Sequence, residues 1–184
     1  VPIDIPVMAR QDIAIRLHIT GSSGPMTWPA KSMTTSYLTA PGAGNAADDE
    51  TDTRFMFSTT SWYWLTEIQA AVSINAKPAT IVALGDSITD GSGTAVDGNS
   101  RWTDFLAQRL QQAGINKTIA NEGISGGRVT ALRFGPYLGP KTPDDLCDKC
   151  GDPAVVRLER DVLARPNVTH VLLFEGINDI GAGA

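Results

Sequence analysis

A chain of 184 residues, 42% apolar and 19% charged, has the composition of a folded globular protein rather than a disordered or fibrous one. Its net charge of −5, with no cluster of Lys and Arg, argues against nucleic acid as a partner. No apolar run reaches the ~18 residues of a bilayer-spanning helix, so no membrane span is expected.

The first residues, VPIDIPVMAR, carry neither the basic stretch nor the apolar core of a secretory leader. The chain reads as cytosolic, or as one whose leader has gone. Up to residue 76 the pattern is β. In DIAIRLHIT, Ile13, Ile15, Leu17 and Ile19 alternate with Ala14, Arg16, His18 and Thr20, which predicts a strand with one apolar face. A polar loop, PGAGNAADDETD, follows at 41–52, and then TRFMFSTT and SWYWLTEIQAAVSI read as further strands. Residues 1–76 are therefore expected to form an all-β, sandwich-like domain, incomplete as it stands because four or five strands barely close a sandwich. Trp62 and Trp64 fall on one face of SWYWL; such a pair stacks on a sugar or, more often, fills a sandwich core.

From residue 77 the pattern alternates between β and α. Residues 79–84 form an apolar strand. Trp102, Phe105, Leu106, Leu110 and Ala113 recur at helical spacing over 101–113, with Ser100 as the expected cap, Gly114 as the stop and the aromatic stripe as core. A short strand is expected at 117–121, a second helix at 153–164 and a third buried strand at 168–174. The βαβαβ order implies a parallel sheet with helices on its faces. Between these elements lies a lone CxxC, Cys147 and Cys150, in a loop rich in Pro, Asp and Gly. It lacks the second ligand pair of a zinc site and the strand and helix of a redox motif, so a short disulfide is the expected state, ahead of free thiols or half a metal site. With the sequons Asn116-Lys117-Thr118 and Asn167-Val168-Thr169, it points to an oxidising, extracellular location.

Ligands of parallel α/β sheets bind beyond the carboxyl ends of the strands. Three turns occupy those ends: GDSITDG (85–91), NEGISGG (121–127) and EGIND (175–179). Each combines glycine with a small polar residue. Ser87 offers a nucleophilic hydroxyl. The backbone N–H groups of Ser87 and Gly126 and the side-chain amide of Asn178 offer donors to an oxyanion. A phosphate cradle is the rival for such glycines, but no GxGxxG or P-loop pattern occurs, and Asp86 and Asp90 put negative charge where phosphate would sit. Asp90 is expected to close an Asx turn and Asp179 to brace the Asn178 turn; Arg128 faces either the cleft or solvent.

The three turns, in this order and on these elements, resemble blocks I, II and III of the GDSL-type, or SGNH, hydrolase family, over residues 79–180. The resemblance implies a flavodoxin-like three-layer α/β/α fold, of which residues 77–184 are the first part, and hydrolysis of esters: acetylated sugars, short acyl esters or lipids. It maps Ser87 onto the serine, Gly126 onto the glycine and Asn178 onto the asparagine of the motif. The β half is similar to the β domain that precedes the catalytic domain in some secreted members. No cofactor or metal is implied.

The family's fourth block, a DxxH with the acid and the base histidine, occurs nowhere in the sequence. His170 lies near the start of its strand, six residues at ~3.3 Å each, or roughly 20 Å, from the site, and a base must lie within hydrogen-bond reach. His18 belongs to the β half. The base is therefore expected from a second polypeptide segment. The other reading is a catalytically inactive carbohydrate- or ester-binding module that keeps the turns.

Overall fold

In the computed structural model, which describes residues 5–8, 11–22, 24, 31–73, 75, 77–130 and 151–182, regular structure concentrates after residue 77. The N-terminal half contributes strands β1 (Ser36–Leu38) and β2 (Phe57–Thr59), paired antiparallel with Tyr37 opposite Ser58. The expected strand DIAIRLHIT joins no ladder among the described residues, and Ile13, Ile15, Leu17 and Ile19 are between 39% and 52% exposed. Its alternation supplies an apolar face, but a strand also needs a partner for its backbone groups. SWYWLTEIQAAVSI likewise joins no ladder, and Trp64 is half exposed rather than in a core. Of the expected sandwich, the described residues contain this one pair of strands.

The C-terminal half follows the expected alternation. Strand β3 (Thr80–Gly85) leads into α1 (Ser87–Asp90) and α2 (Trp102–Gln112). Strand β4 (Thr118–Gly123) precedes α3 (Ala154–Arg157), which continues into a π turn, Leu158–Leu163. Strand β5 (Val168–Phe174) leads into α4 (Ile177–Ala182). The sheet order is β4–β3–β5, with both pairings parallel.

Strand β3 is central, and its run Ile81, Val82, Ala83 and Leu84 is at most 8% exposed. A continuous apolar run, rather than an alternating one, marks a strand buried on both faces. Val82 and Leu84 pack against Ala154 and Val162, with Ala120 and Val168 at the margin. Burial of each such side chain contributes about 2 kcal/mol. Arg157 is 1% exposed beside this cluster. It pairs with Asp161 at 2.8 Å and donates through Nη2 to the Glu122 carbonyl at 2.6 Å, tying α3 to β4.

Helix α2 departs from expectation at its start. Its cap is Arg101 rather than Ser100, and the Arg101 N–H donates to the Asp104 carboxylate at 2.9 Å. Its end is as expected. Gly114 takes φ +68°, and Ile115 N–H reaches back to the Leu110 carbonyl at 2.9 Å, closing a Schellman turn. The expected core stripe is only partly covered: Trp102 and Leu106 are half-buried, Phe105 is 47% exposed, and the fully buried residue is Thr103. Thr103 accepts a hydrogen bond from the Asn121 side chain at 3.1 Å, so a polar contact holds α2 against β4.

Candidate active site

The three strands end level. Gly85 is paired with Gly123 on one side and Phe174 on the other, so the next residues of all three chains emerge on one edge. In the first turn Asp86, 1% exposed, caps α1. Its side chain accepts from the Ile88 N–H at 3.0 Å, and its carbonyl accepts from Thr89 and Asp90 at 3.1 and 2.9 Å. This places Ser87, half-buried, at the first position of the helix. Among the described residues, neither the Ser87 hydroxyl nor the Ser87 and Gly126 backbone N–H groups are taken up by another group.

The second turn is locked onto the first. Gly123 has no room for a side chain: a Cβ would stand 2.2 Å from the Asp90 nitrogen. Asn121 accepts from Gly123 N–H at 2.9 Å and donates to the Thr89 carbonyl at 2.7 Å. Asp90 accepts from the Ser125 N–H at 3.1 Å and from its hydroxyl at 2.6 Å, and Ser92 Oγ lies 3.0 Å from Ser125 Oγ. Asp90 therefore does not close an Asx turn; it is buried and reaches across to the residue before Gly126. Burial raises its carboxyl pKa against the pull of those Ser125 bonds. Gly126 has φ +81°, a conformation that costs a residue with a Cβ about 1–2 kcal/mol.

The third turn is locked onto the second. Asn178 donates through Nδ2 to the Gly127 carbonyl at 2.9 Å, and an amide nitrogen has a second proton to offer. Asp179 accepts from the Val129 N–H at 3.0 and 3.2 Å. It braces a backbone N–H as expected, but one beyond the glycine pair rather than in its own turn. Arg128 is 8% exposed, not out in solvent. Glu175 has both carboxyl oxygens shielded from water with no hydrogen-bond partner among the described residues. Burial is the main cause that raises its pKa, opposed by Arg157 and aided by Asp86 and Asp179.

The arrangement thus gathers Ser87, Gly126 and Asn178 through two hydrogen-bonded links, Asp90 to Ser125 and Asn178 to Gly127. The sequence reading missed the braces Asn121, Asp90 and Ser125. Their signal was present in the two polar turns, but only the pairing of Gly85 with Gly123 aligns them. His170 is opposite Ile81, four ladder positions before Gly85 and about 13 Å away along the strand; its ring contacts Lys117 Nζ at 3.2 Å. His18 is exposed on the unpaired N-terminal segment. Neither histidine is brought to the turns. No group of three His, Cys, Asp or Glu among the described residues is placed to hold a metal ion. Cys147 and Cys150, with the disulfide expected of them, lie outside the described residues. Among the described residues no helix is long and apolar enough to cross a membrane.

Residues 83–184 match the family described as GDSL-like Lipase/Acylhydrolase. The chain is also similar to two solved structures: AlinE4, described as an SGNH-hydrolase family esterase, and an aspartate-to-alanine mutant of that esterase. Each is 23% identical with a TM-score of 0.38, over 58% of this chain and 44% of the other, so this chain spans less than half the length of either. No curated protein matches.

Proposed function

Since the chain belongs to the GDSL-like lipase/acylhydrolase family, we propose that it supplies the nucleophile and the oxyanion donors of a serine ester hydrolase. Ser87 Oγ attacks the ester carbonyl and gives its proton to a histidine base outside these residues. The tetrahedral oxyanion is held by the N–H groups of Ser87 and Gly126 and by Asn178 Nδ2. The alcohol leaves with the proton, and water hydrolyses the acyl-enzyme by the same path. Ser87, Gly126 and Asn178 are thus the catalytic residues of this chain. The observation that carries the reading is the level ending of three strands, with the Ser87 hydroxyl and the Ser87 and Gly126 N–H groups unengaged among the described residues on turns that leave that one edge.

The substrates are short acyl or acetyl esters, acetylated carbohydrates among them. The base and its acid partner come from a second segment carrying a DxxH pattern, a requirement supported by the placement of His18 and His170 away from the turns. Asn116 and Asn167 are both exposed, as a secreted glycoprotein requires.

A fluorophosphonate probe and an acetyl ester test the proposal on the full-length protein. One adduct at Ser87, and loss of both labelling and hydrolysis in Ser87→Ala, is the expected result. A full-length protein that takes no label and hydrolyses no ester would instead be a binding module that keeps the turns.

A further inference from the structure

How Ser87 is held in place is a question that rests on the ester-hydrolysis reading. We propose that Arg101 is a positioning residue: it pins the end of the serine-bearing helix α1 to a strap from the N-terminal half, residues 32–35, and so makes that half part of the catalytic unit.

Helix α1 has four residues, Ser87 to Asp90, too few to hold a helical shape unaided. What holds Asp90 therefore holds the serine. The Asp90 carboxylate is taken by Ser125, beside Gly126, and the Asp90 carbonyl accepts from Arg101 Nε at 2.8 Å. Asp90 is thus the joint between the serine turn and the glycine turn, and Arg101 clasps it from outside. The Arg101 Nη2 donates to the Ser32 carbonyl. Its backbone N–H is fixed to the Asp104 carboxylate at 2.9 Å, at the start of α2. One guanidinium fork thereby joins α1, α2 and the N-terminal half.

The strap is itself anchored at both ends. Ser32, 6% exposed, donates its N–H and its hydroxyl to the Thr60 carbonyl at 2.7 and 2.5 Å, just past β2. Thr35 donates its N–H and its hydroxyl to the Asp97 carboxylate at 2.7 and 2.5 Å, and the Asp97 N–H returns to the Met33 carbonyl at 2.9 Å. Asp97 lies in the loop between α1 and α2. Met33 and Asp97, the two sides of this contact, both take left-handed backbone, at φ +52° and +59°. Side-chain-bearing residues adopt that conformation at a cost and keep it where tertiary contacts hold it. Lysine at position 101 would keep the charge but present one compact ammonium in place of a planar fork, and could not serve both carbonyls in this geometry.

Two readouts on the full-length protein test this, both taken well below the unfolding transition. The first is the rate of fluorophosphonate labelling at Ser87, with kcat and KM on an acetyl ester. Arg101→Lys is expected to lower kcat and the labelling rate about ten-fold or more, because a misplacement of ~1 Å at the reacting group is costly, with KM little changed. Thr35→Val, which removes the hydroxyl bonded to Asp97, should lower both in the same direction, and Thr35→Ser, which restores it, should bring them back. A merely structural role would lower the urea midpoint and leave the labelling rate of the folded protein alone. The second readout is hydrogen exchange at Gly91 and Ser92, whose N–H groups both donate to the Ser87 carbonyl; it should quicken in Arg101→Lys and in Thr35→Val. Wild-type labelling in Arg101→Lys would overturn the proposal. So would wild-type exchange at 91 and 92 in Thr35→Val, even if Arg101→Lys did not fold. A wild type that takes no label would instead remove the serine reading, and the exchange measurement would still decide whether the strap holds α1.

Discussion

Asn178, as a proposed oxyanion donor, would serve both architecture and chemistry with one side chain. Its Nδ2 is bonded to the Gly127 carbonyl, which fixes the amide in orientation and leaves one N–H for an oxyanion. Truncation removes a donor and unties the third turn from the second. Asn178→Ala is expected to lower kcat about 100-fold or more, the usual effect of losing one oxyanion donor, with a much smaller change in KM. Steady-state kinetics on an acetyl ester would check it, and an unchanged kcat would remove Asn178 from that role. Asp90 makes the complementary case. It was legible as a turn residue, yet its carboxylate is spent on Ser125, 35 residues away. Local spacing predicts contacts between neighbours in sequence; it carries no information on a partner delivered by strand pairing.

The elements that matter are three strands that stop together. β3 and β5 both lie within a residue of their expected bounds, but β5, expected to be buried, is exposed: Leu173 is 62% and Phe174 52% exposed, because among the described residues β5 is an edge strand paired on one side alone. β4 runs two residues further than expected, to Gly123, because its polar end, Asn121 and Glu122, is still paired with Ala83 and Leu84. A polar strand end is invisible to a hydrophobic pattern. The approach of α1 to β4 depends on Gly123, where a Cβ would lie 2.2 Å from Asp90 N and 2.6 Å from Thr89 C. Those are backbone atoms and cannot rotate away. Gly123→Ala is therefore expected to cost about 2 kcal/mol or more, seen as a lowered urea midpoint, and to depress activity by displacing Ser87. A variant with wild-type midpoint and rate would mean that α1 does not sit so close to the strand.

Across the whole molecule, charge ties the two halves together. Arg165 pairs with Glu122 on β4 and with Glu67 in the N-terminal half, and Arg101 reaches the Ser32 carbonyl. Burial pushes the Glu122 carboxyl from 4.5 to about 7 in spite of the Arg165 guanidinium beside it. The folded chain thus holds this proton more tightly than the unfolded chain. The stability it contributes is complete below about pH 4.5, is lost as pH rises towards about 7 and is flat beyond; the span corresponds to about 3 kcal/mol. Urea unfolding of wild type and Glu122→Gln across that range should show the decline in the first and a shallower one in the second. Parallel curves would show that Glu122 ionises alike in both states.

The sequence by itself determined the alternating α/β half, its central buried strand and the three glycine-bearing turns. Those are local properties: apolar runs, helical spacing and the backbone freedom of glycine. Tertiary structure alone decided which residues brace the turns and that Thr103 rather than Phe105 is buried. It also decided that the alternating apolar face of residues 13–19 finds no ladder among the described residues. In each case the outcome depends on a partner distant in the chain, and a period or a spacing specifies a face without specifying what covers it.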